Sequence, residues 1–282
     1  MTSRRTLRAS RNATLDRLAD RVNSELRKIA RNPSNIDAIH DARVAGRRLL
    51  AAGELWAAHV APWAGVRDRL PRILRKLGQV RNLDIALGLL RRGTKEDQSA
   101  RKALARHLER LRRKERIRLG DWLVAKKIDR IRDAMRKVVR EVRQKPVLDG
   151  PAPSDLGPHF ARVMSLFTGR TWAPSAEEAH AIRREVRRLR YAHETLEWAY
   201  EPEDFLRVVK VLRRIQELAG NWQDRCVIEK LAAKAVRRGK VSVPLAGFLA
   251  RIEAESKSLS EKFVRAAMEL IDLRQLIVGE IR

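Results

Sequence analysis

Two stretches of the chain set one histidine and several arginines at the same intervals. The first is Ile39-His40-Asp41-Ala42-Arg43-Val44-Ala45-Gly46-Arg47-Arg48-Leu49, and the second is Ala179-His180-Ala181-Ile182-Arg183-Arg184-Glu185-Val186-Arg187-Arg188-Leu189. In each, Arg stands at +3, +7 and +8 from the His, and Leu at +9. A guanidinium is planar, permanently charged and forks onto pairs of phosphate oxygens, while a histidine adds a charge that depends on pH. The chemistry on offer is recognition of phosphate. At about 100° per residue on a helix, His, +3 and +7 share a narrow arc, with +8 at its edge. Ile39, Ala42, Leu49, Leu50 and Trp56 fall on the opposite side of the first copy, and Ile182, Val186, Leu189 and Leu196 on that of the second. Each helix should therefore bury one face and present a comb of His and Arg on the other.

A second landmark follows each comb. Gly78-Gln79-Val80-Arg81-Asn82 begins 38 residues after His40, and Gly220-Asn221-Trp222-Gln223-Asp224 begins 40 after His180. Two landmarks in one order at nearly one spacing predict an internal duplication.

The His-x-x-Arg-x-x-x-Arg-Arg helix, the Gly-Gln-Val-Arg-Asn-Leu-Asp turn and the Arg-Leu-Arg-Tyr-Ala run resemble the CHAD domain, the conserved-histidine α-helical domain. The resemblance spans nearly the whole chain. It implies an all-α fold of two helical bundles related by a pseudo-two-fold axis, with basic helix faces lining a central groove. It also implies binding of inorganic polyphosphate without catalysis. By match to the motifs, His40, Arg43, Arg47 and Arg48, with His180, Arg183, Arg187 and Arg188, would line that groove. Two departures stand out: Asn82 replaces the family's usual Asp, and Leu50 stands where the second copy keeps Arg190, which shortens the first comb.

The composition agrees with a polyanionic partner. Across 282 residues, Lys+Arg 62 against Asp+Glu 35 leaves +27 at pH 7, far from the balance of an ordinary metabolic enzyme. Such an excess costs self-repulsion and points to nucleic acid, an anionic membrane or polyphosphate. Cys226 is the only cysteine, which rules out an internal disulfide or a cysteine zinc site and predicts a small core residue. Met1-Thr2-Ser3-Arg4-Arg5 leads into a charged amphipathic segment without a signal-type apolar region, and no run reaches ~20 apolar residues. A cytoplasmic protein without membrane insertion is expected, with polyphosphate granules as its place of work.

The elements that must position the combs read as helices throughout. Leu15, Leu18, Val22, Leu26 and Ile29 predict an amphipathic helix to about Arg31, stopped before Pro33. Ser34 or Asn35 can cap the first comb helix, which runs to about His59. Pro62 opens a third helix through Leu70, Ile73, Leu74 and Leu77, with a kink or break at Pro71. Gly93 ends the following piece, and Gln98 to Gln144 reads as two basic helices divided near Gly120-Asp121. The Pro- and Gly-rich stretch 146–158 is the linker between an N-terminal half, 1–145, and a C-terminal half, 159–282. There a helix from His159 to Thr168 precedes the second comb, which runs to about Tyr200. Further helices are predicted at Phe205 to Ala219, Gln223 to Arg238 and Pro244 to Leu270.

Other basic residues extend the candidate site. Arg72, Arg75 and Lys76 on the third helix, and Arg207, Lys210, Arg213 and Arg214 on its counterpart, would complete the walls. Arg213 lies off the Arg214 face and is the weakest of these. Arg184, Arg190 and Tyr191 flank the second comb, and Tyr191 is placed to hydrogen-bond a phosphate. Trp56 falls on the apolar arc, Trp198 nearer the basic one, and His193 on the apolar arc as a satisfied core histidine. The run Arg110 to Arg118 reads as a solvated helix surface that could extend the groove.

Two enzyme readings are weaker. His40-Asp41 evokes a metal-dependent phosphohydrolase, but the second copy has Ala181 there, and His59, His107 and His159 follow no ligand spacing. Glu253-x-Glu255-x-Lys257 matches the signature of triphosphate tunnel enzymes, but that chemistry needs a strand where helix is expected. No catalytic residue, metal site or cofactor is assigned. An RNA-binding protein is the leading alternative, and nucleic acid is otherwise a non-specific competitor.

Overall fold

The computed structural model describes residues 4–92, 97–145, 152–167, 176–241 and 245–278. These residues are all-α, with no strand among them. In chain order the helices are α1 (Arg4–Arg31), α2 (Ile36–Trp56), α3 (Trp63–Arg91), α4 (Gln98–Trp122) and α5 (Ala125–Gln144), followed by α6 (Gly157–Ser165), α7 (Ala176–Thr195), α8 (Pro202–Arg237), α9 (Ala246–Asp272) and α10 (Arg274–Val278). Short 3₁₀ turns at Pro153–Leu156 and Glu197–Ala199 precede α6 and α8. Among the described residues no helix is long and apolar enough to cross a membrane.

The first comb lies on α2 and the second on α7. Asn35 caps α2, its side-chain oxygen accepting from Ala38 N–H at 2.9 Å. Several boundaries differ from those expected. Pro71 lies inside an unbroken α3. Leu70, Ile73, Leu74 and Leu77 on either side of it are all buried, and this packed face carries the helix across the lost hydrogen bond. The glycine landmarks are not turns. Gly78 is in the middle of α3, and Gly220 is inside an α8 that joins the two helices expected from Phe205 to Arg238. Buried Leu77 and Val80, and buried Ala219 and Trp222, hold both stretches helical despite the glycine. The α4–α5 break falls at Leu123–Val124 rather than Gly120-Asp121, and the comb helices end at Trp56 and Thr195. Met1–Ser3, Gly93, 146–151, Thr168 and Pro244 lie outside the described residues.

Three apolar cores hold the helices. The first gathers α1, α2, α5 and the N-terminal half of α3. The second gathers α6, α7, the first two-thirds of α8, the end of α9 and α10, and it contains the buried, free Cys226. The third draws on both halves of the chain: Leu83, Leu87 and Leu90 of α3 and Leu104 and Leu108 of α4 pack with Ile228, Ala232 and Ala235 of α8 and Phe248 and Ile252 of α9. Trp198 packs against the first and second cores, with its ring centroid 6.4 Å from that of Trp56. It therefore seals the junction of the halves rather than serving the basic face.

Candidate functional site: an arginine cluster between the comb helices

The apolar arcs of α2 and α7 turn into their own cores, which leaves the combs facing one another. The positive charges acting on Arg43 are those of Arg187, Arg183 and Arg81, and Arg187 in turn is acted on by Arg47 and Arg183. Burial, and then this mutual repulsion, pulls the Arg43 guanidinium down to about 10 and lowers Arg47 and Arg187 as well. All remain cationic at neutral pH. Among the described residues Arg43, Arg47, Arg183 and Arg187 make no ion pair with a carboxylate. Arg43 instead donates to Leu74 O at 2.7 Å, while Arg183 Nε is buried without a hydrogen-bond partner.

The glycine landmarks lie against these arginines. A Cβ on Gly78 would stand 2.5 Å from Arg43 Nη1, and one on Gly220 would stand 3.5 Å from Arg183 Nη2. Three residues beyond each glycine come Arg81 and Gln223, which the sequence reading missed. Arg81 is the strongest of the charges acting on His40, and Gln223 lies beside His180, where it favours the imidazolium. Their equal offset from the glycines was the available signal. Both comb histidines are held below the usual value, by burial first and then chiefly by Arg81 at His40 and by Arg183 at His180. Asp224 also belongs here: burial raises its carboxyl against the opposing pull of Arg183, Arg225 and Arg81.

The +8 arginines behave differently. Arg48 donates to Glu194 Oε2 at 3.2 Å, and its guanidinium lies 5.5 Å from the centre of the Tyr191 ring. Arg188 is held by Glu185 at 3.1 Å, as is Arg184 at 3.0 Å. Arg190 stacks on Tyr191 at 4.6 Å and stands 3.6 Å from Glu194. Tyr191 is itself buried, so its ring supports the arginines around it.

The outer bases Arg72, Arg75, Lys76, Arg207, Lys210 and Arg214 are exposed on α3 and α8. Arg214 pairs with Glu269 at 2.6 Å. Arg213, ranked weakest from its helical position, stands 3.7 Å from Glu194 at the edge of the arginine cluster. In the Arg110 to Arg118 run, Arg112 and Arg116 turn inward onto Asp84 of α3 at 3.5 and 3.0 Å, so that run is not wholly a solvated face.

His193 is buried as expected, but both ring nitrogens lack a hydrogen-bond partner. It stacks on Phe205 at 5.1 Å and lies 4.4 Å from Tyr200, and burial drives it down to about 4. It is an aromatic core residue rather than a satisfied polar one. Asp41 is occupied by Arg21 at 2.5 Å, and among the described residues no group of three or more His, Cys, Asp or Glu gathers into a metal-binding set. Glu255 lies on helix α9 and pairs with Arg225 and Arg251.

Comparison with known proteins agrees with this architecture. The CHAD domain family model matches residues 13–233, most of the chain. Among solved structures, the crystal structure of the CHAD domain from the plant Ricinus communis is similar with a TM-score of 0.67 and 19% identity, covering 98% of this chain and 92% of that one. A search of curated proteins found no match. The protein is a member of the CHAD domain family.

Proposed function

We propose that this chain binds inorganic polyphosphate without chemically altering it, and does so in the cytoplasm at polyphosphate granules. The observation that carries this reading is the cluster of Arg43, Arg47, Arg183 and Arg187. Four guanidiniums from two helices face one another, partly withdrawn from water, with no carboxylate ion pair among the described residues. Charges so placed repel each other, and a polyanion laid over them replaces repulsion with charge-assisted hydrogen bonds. Regular spacing on two facing helices suits a chain of equivalent phosphates, and binding should release counterions with a steep salt dependence. His40, His180 and Arg81 border the cluster and would complete the contact. Membership of the CHAD family supports polyphosphate over nucleic acid as the ligand.

The test is competition at fixed physiological salt, with labelled long-chain polyphosphate displaced by tRNA, duplex DNA or short oligophosphate. The wild type should prefer the long phosphate chain. Changing Arg43, Arg47, Arg183 and Arg187 together to Ala should weaken binding by at least about 100-fold, as expected for the loss of several charge-assisted contacts. Equal displacement by tRNA would turn the reading to RNA binding. An unaffected quadruple variant would show that net charge alone attracts the polymer.

A further inference from the structure

Position +14 from each comb histidine is a glutamate: Glu54 after His40, and Glu194 after His180. Both stand on comb helices, but among the described residues only Glu194 forms an ion pair with the other comb helix. Glu194 of α7 accepts from Arg48 of α2 at 3.2 Å. At the matching +8 position Arg188 is held by Glu185 of its own helix at 3.1 Å, and Glu54 is exposed, so the two copies differ at this point. Glu194 is the stronger partner. Its side chain is only 16% exposed, and it draws Arg48, Arg190 and Arg213 from three different helices within 3.7 Å. A carboxylate so placed weakens the attraction of its surroundings for an anion. It stands beside four arginines that make no carboxylate ion pair among the described residues, which calls for a separate role.

We infer that Glu194 is a positioning residue that ties the +8 arginine of the first comb, Arg48, across the junction of α2 and α7. It thereby ends the anion site at the four-arginine cluster. This deepens the polyphosphate reading and rests on it for the identity of the ligand. The +3 and +7 arginines bind the polymer, Arg48 holds the two comb helices in register, and Glu194 limits how many phosphates the site engages.

The experiment measures the dissociation constant of a polyphosphate of defined length as a function of salt for the wild type, Glu194→Gln, Glu54→Gln, Arg47→Gln, Arg48→Gln and the Arg48→Gln/Glu194→Gln double variant. Glu194→Gln should bind roughly three- to ten-fold tighter at low salt, with a salt slope steeper by about one, because one neutralised arginine becomes available to the polymer. Arg48→Gln should lose much less affinity than Arg47→Gln, and in the Glu194→Gln background it should remove the gain. An unchanged slope in Glu194→Gln, or a loss in Arg48→Gln as large as in Arg47→Gln, overturns the inference. The comparison of Arg48→Gln with Arg47→Gln keeps the test open if Glu194→Gln folds poorly, and Glu54→Gln, which removes a carboxylate without an ion pair among the described residues, should leave the affinity near that of the wild type. A thermal double-mutant cycle between Arg48→Gln and Glu194→Gln, run without ligand, should be non-additive. Additive losses would refute the tie by themselves. If the wild type does not bind polyphosphate, the ligand reading falls while the cycle still decides the tie.

Discussion

His40 and His180 each sit at the rim of a cationic cluster, and their protonation is coupled to whatever occupies it. At His40 burial, Arg81, Arg43 and Arg47 disfavour the imidazolium, with Asp41 pulling the other way. At His180 burial and Arg183 dominate, opposed by the neighbouring Gln223 side chain. Both residues are therefore neutral in the free protein at neutral pH, and bound phosphate favours their charged form. Affinity should rise as pH falls through the raised pKa of the complex. It should stop rising below the free-protein pKa, which itself lies under the ordinary value near 6.5. Binding isotherms between about pH 8 and pH 5 check this against the ordinary histidine range, and a His40→Asn/His180→Asn variant should show a flatter profile. The comb residues were legible because helical periodicity ties their intervals to one face. The partners that distinguish them were not. Whether +7 stands free and +8 is neutralised depends on Glu194 and Glu185, and a wheel of one helix says nothing about carboxylates on the next.

The helices α3 and α8 each pass a glycine beneath a comb arginine, at different clearances. Alanine in a helix interior is favoured over glycine by about 0.5–1 kcal/mol. At Gly220 an added Cβ would make ordinary contact with Arg183, so Gly220→Ala should raise the melting temperature and leave polymer affinity unchanged. At Gly78 the Cβ would meet Arg43 Nη1 at 2.5 Å and push it off its 2.7 Å hydrogen bond to Leu74 O. Gly78→Ala should therefore weaken binding several-fold while gaining little stability. Paired melting curves and binding titrations of the two variants decide the matter. Both glycines are visible in the sequence as landmarks, but local rules read a glycine as a stop. The residues that keep these stretches helical, Leu77, Val80, Ala219 and Trp222, are buried by helices from elsewhere in the chain, and the same packing carries α3 through Pro71.

At the scale of the molecule, the third core binds the two halves of the chain into one folding unit. Leu104 and Leu108 of the first half are fully buried against Ile228, Ala232 and Ala235 of the second. Calorimetry should show a single unfolding transition. Leu104→Ala, which empties a site in that shared core, should cost about 2–5 kcal/mol and move the whole transition rather than split it. All-α character, the combs and their order along the chain follow from periodicity. The third core does not, because its members lie at the far ends of helices whose pairing is settled only when both halves are assembled.

Helix α8 contributes to the second core up to Cys226 and to the third from Ile228, and the second comb rests against it at Gly220. It is a single rod of 36 residues, so these surfaces keep a fixed rotational phase. One residue inserted between Gly220 and Ile228 would turn the third-core face by about 100° relative to the comb. A seven-residue insertion would nearly restore the angle while lengthening the rod by about 10 Å. Insertions should therefore be tolerated in the loops that join the helices and not in α8, which acts as the ruler against which both halves are kept in step.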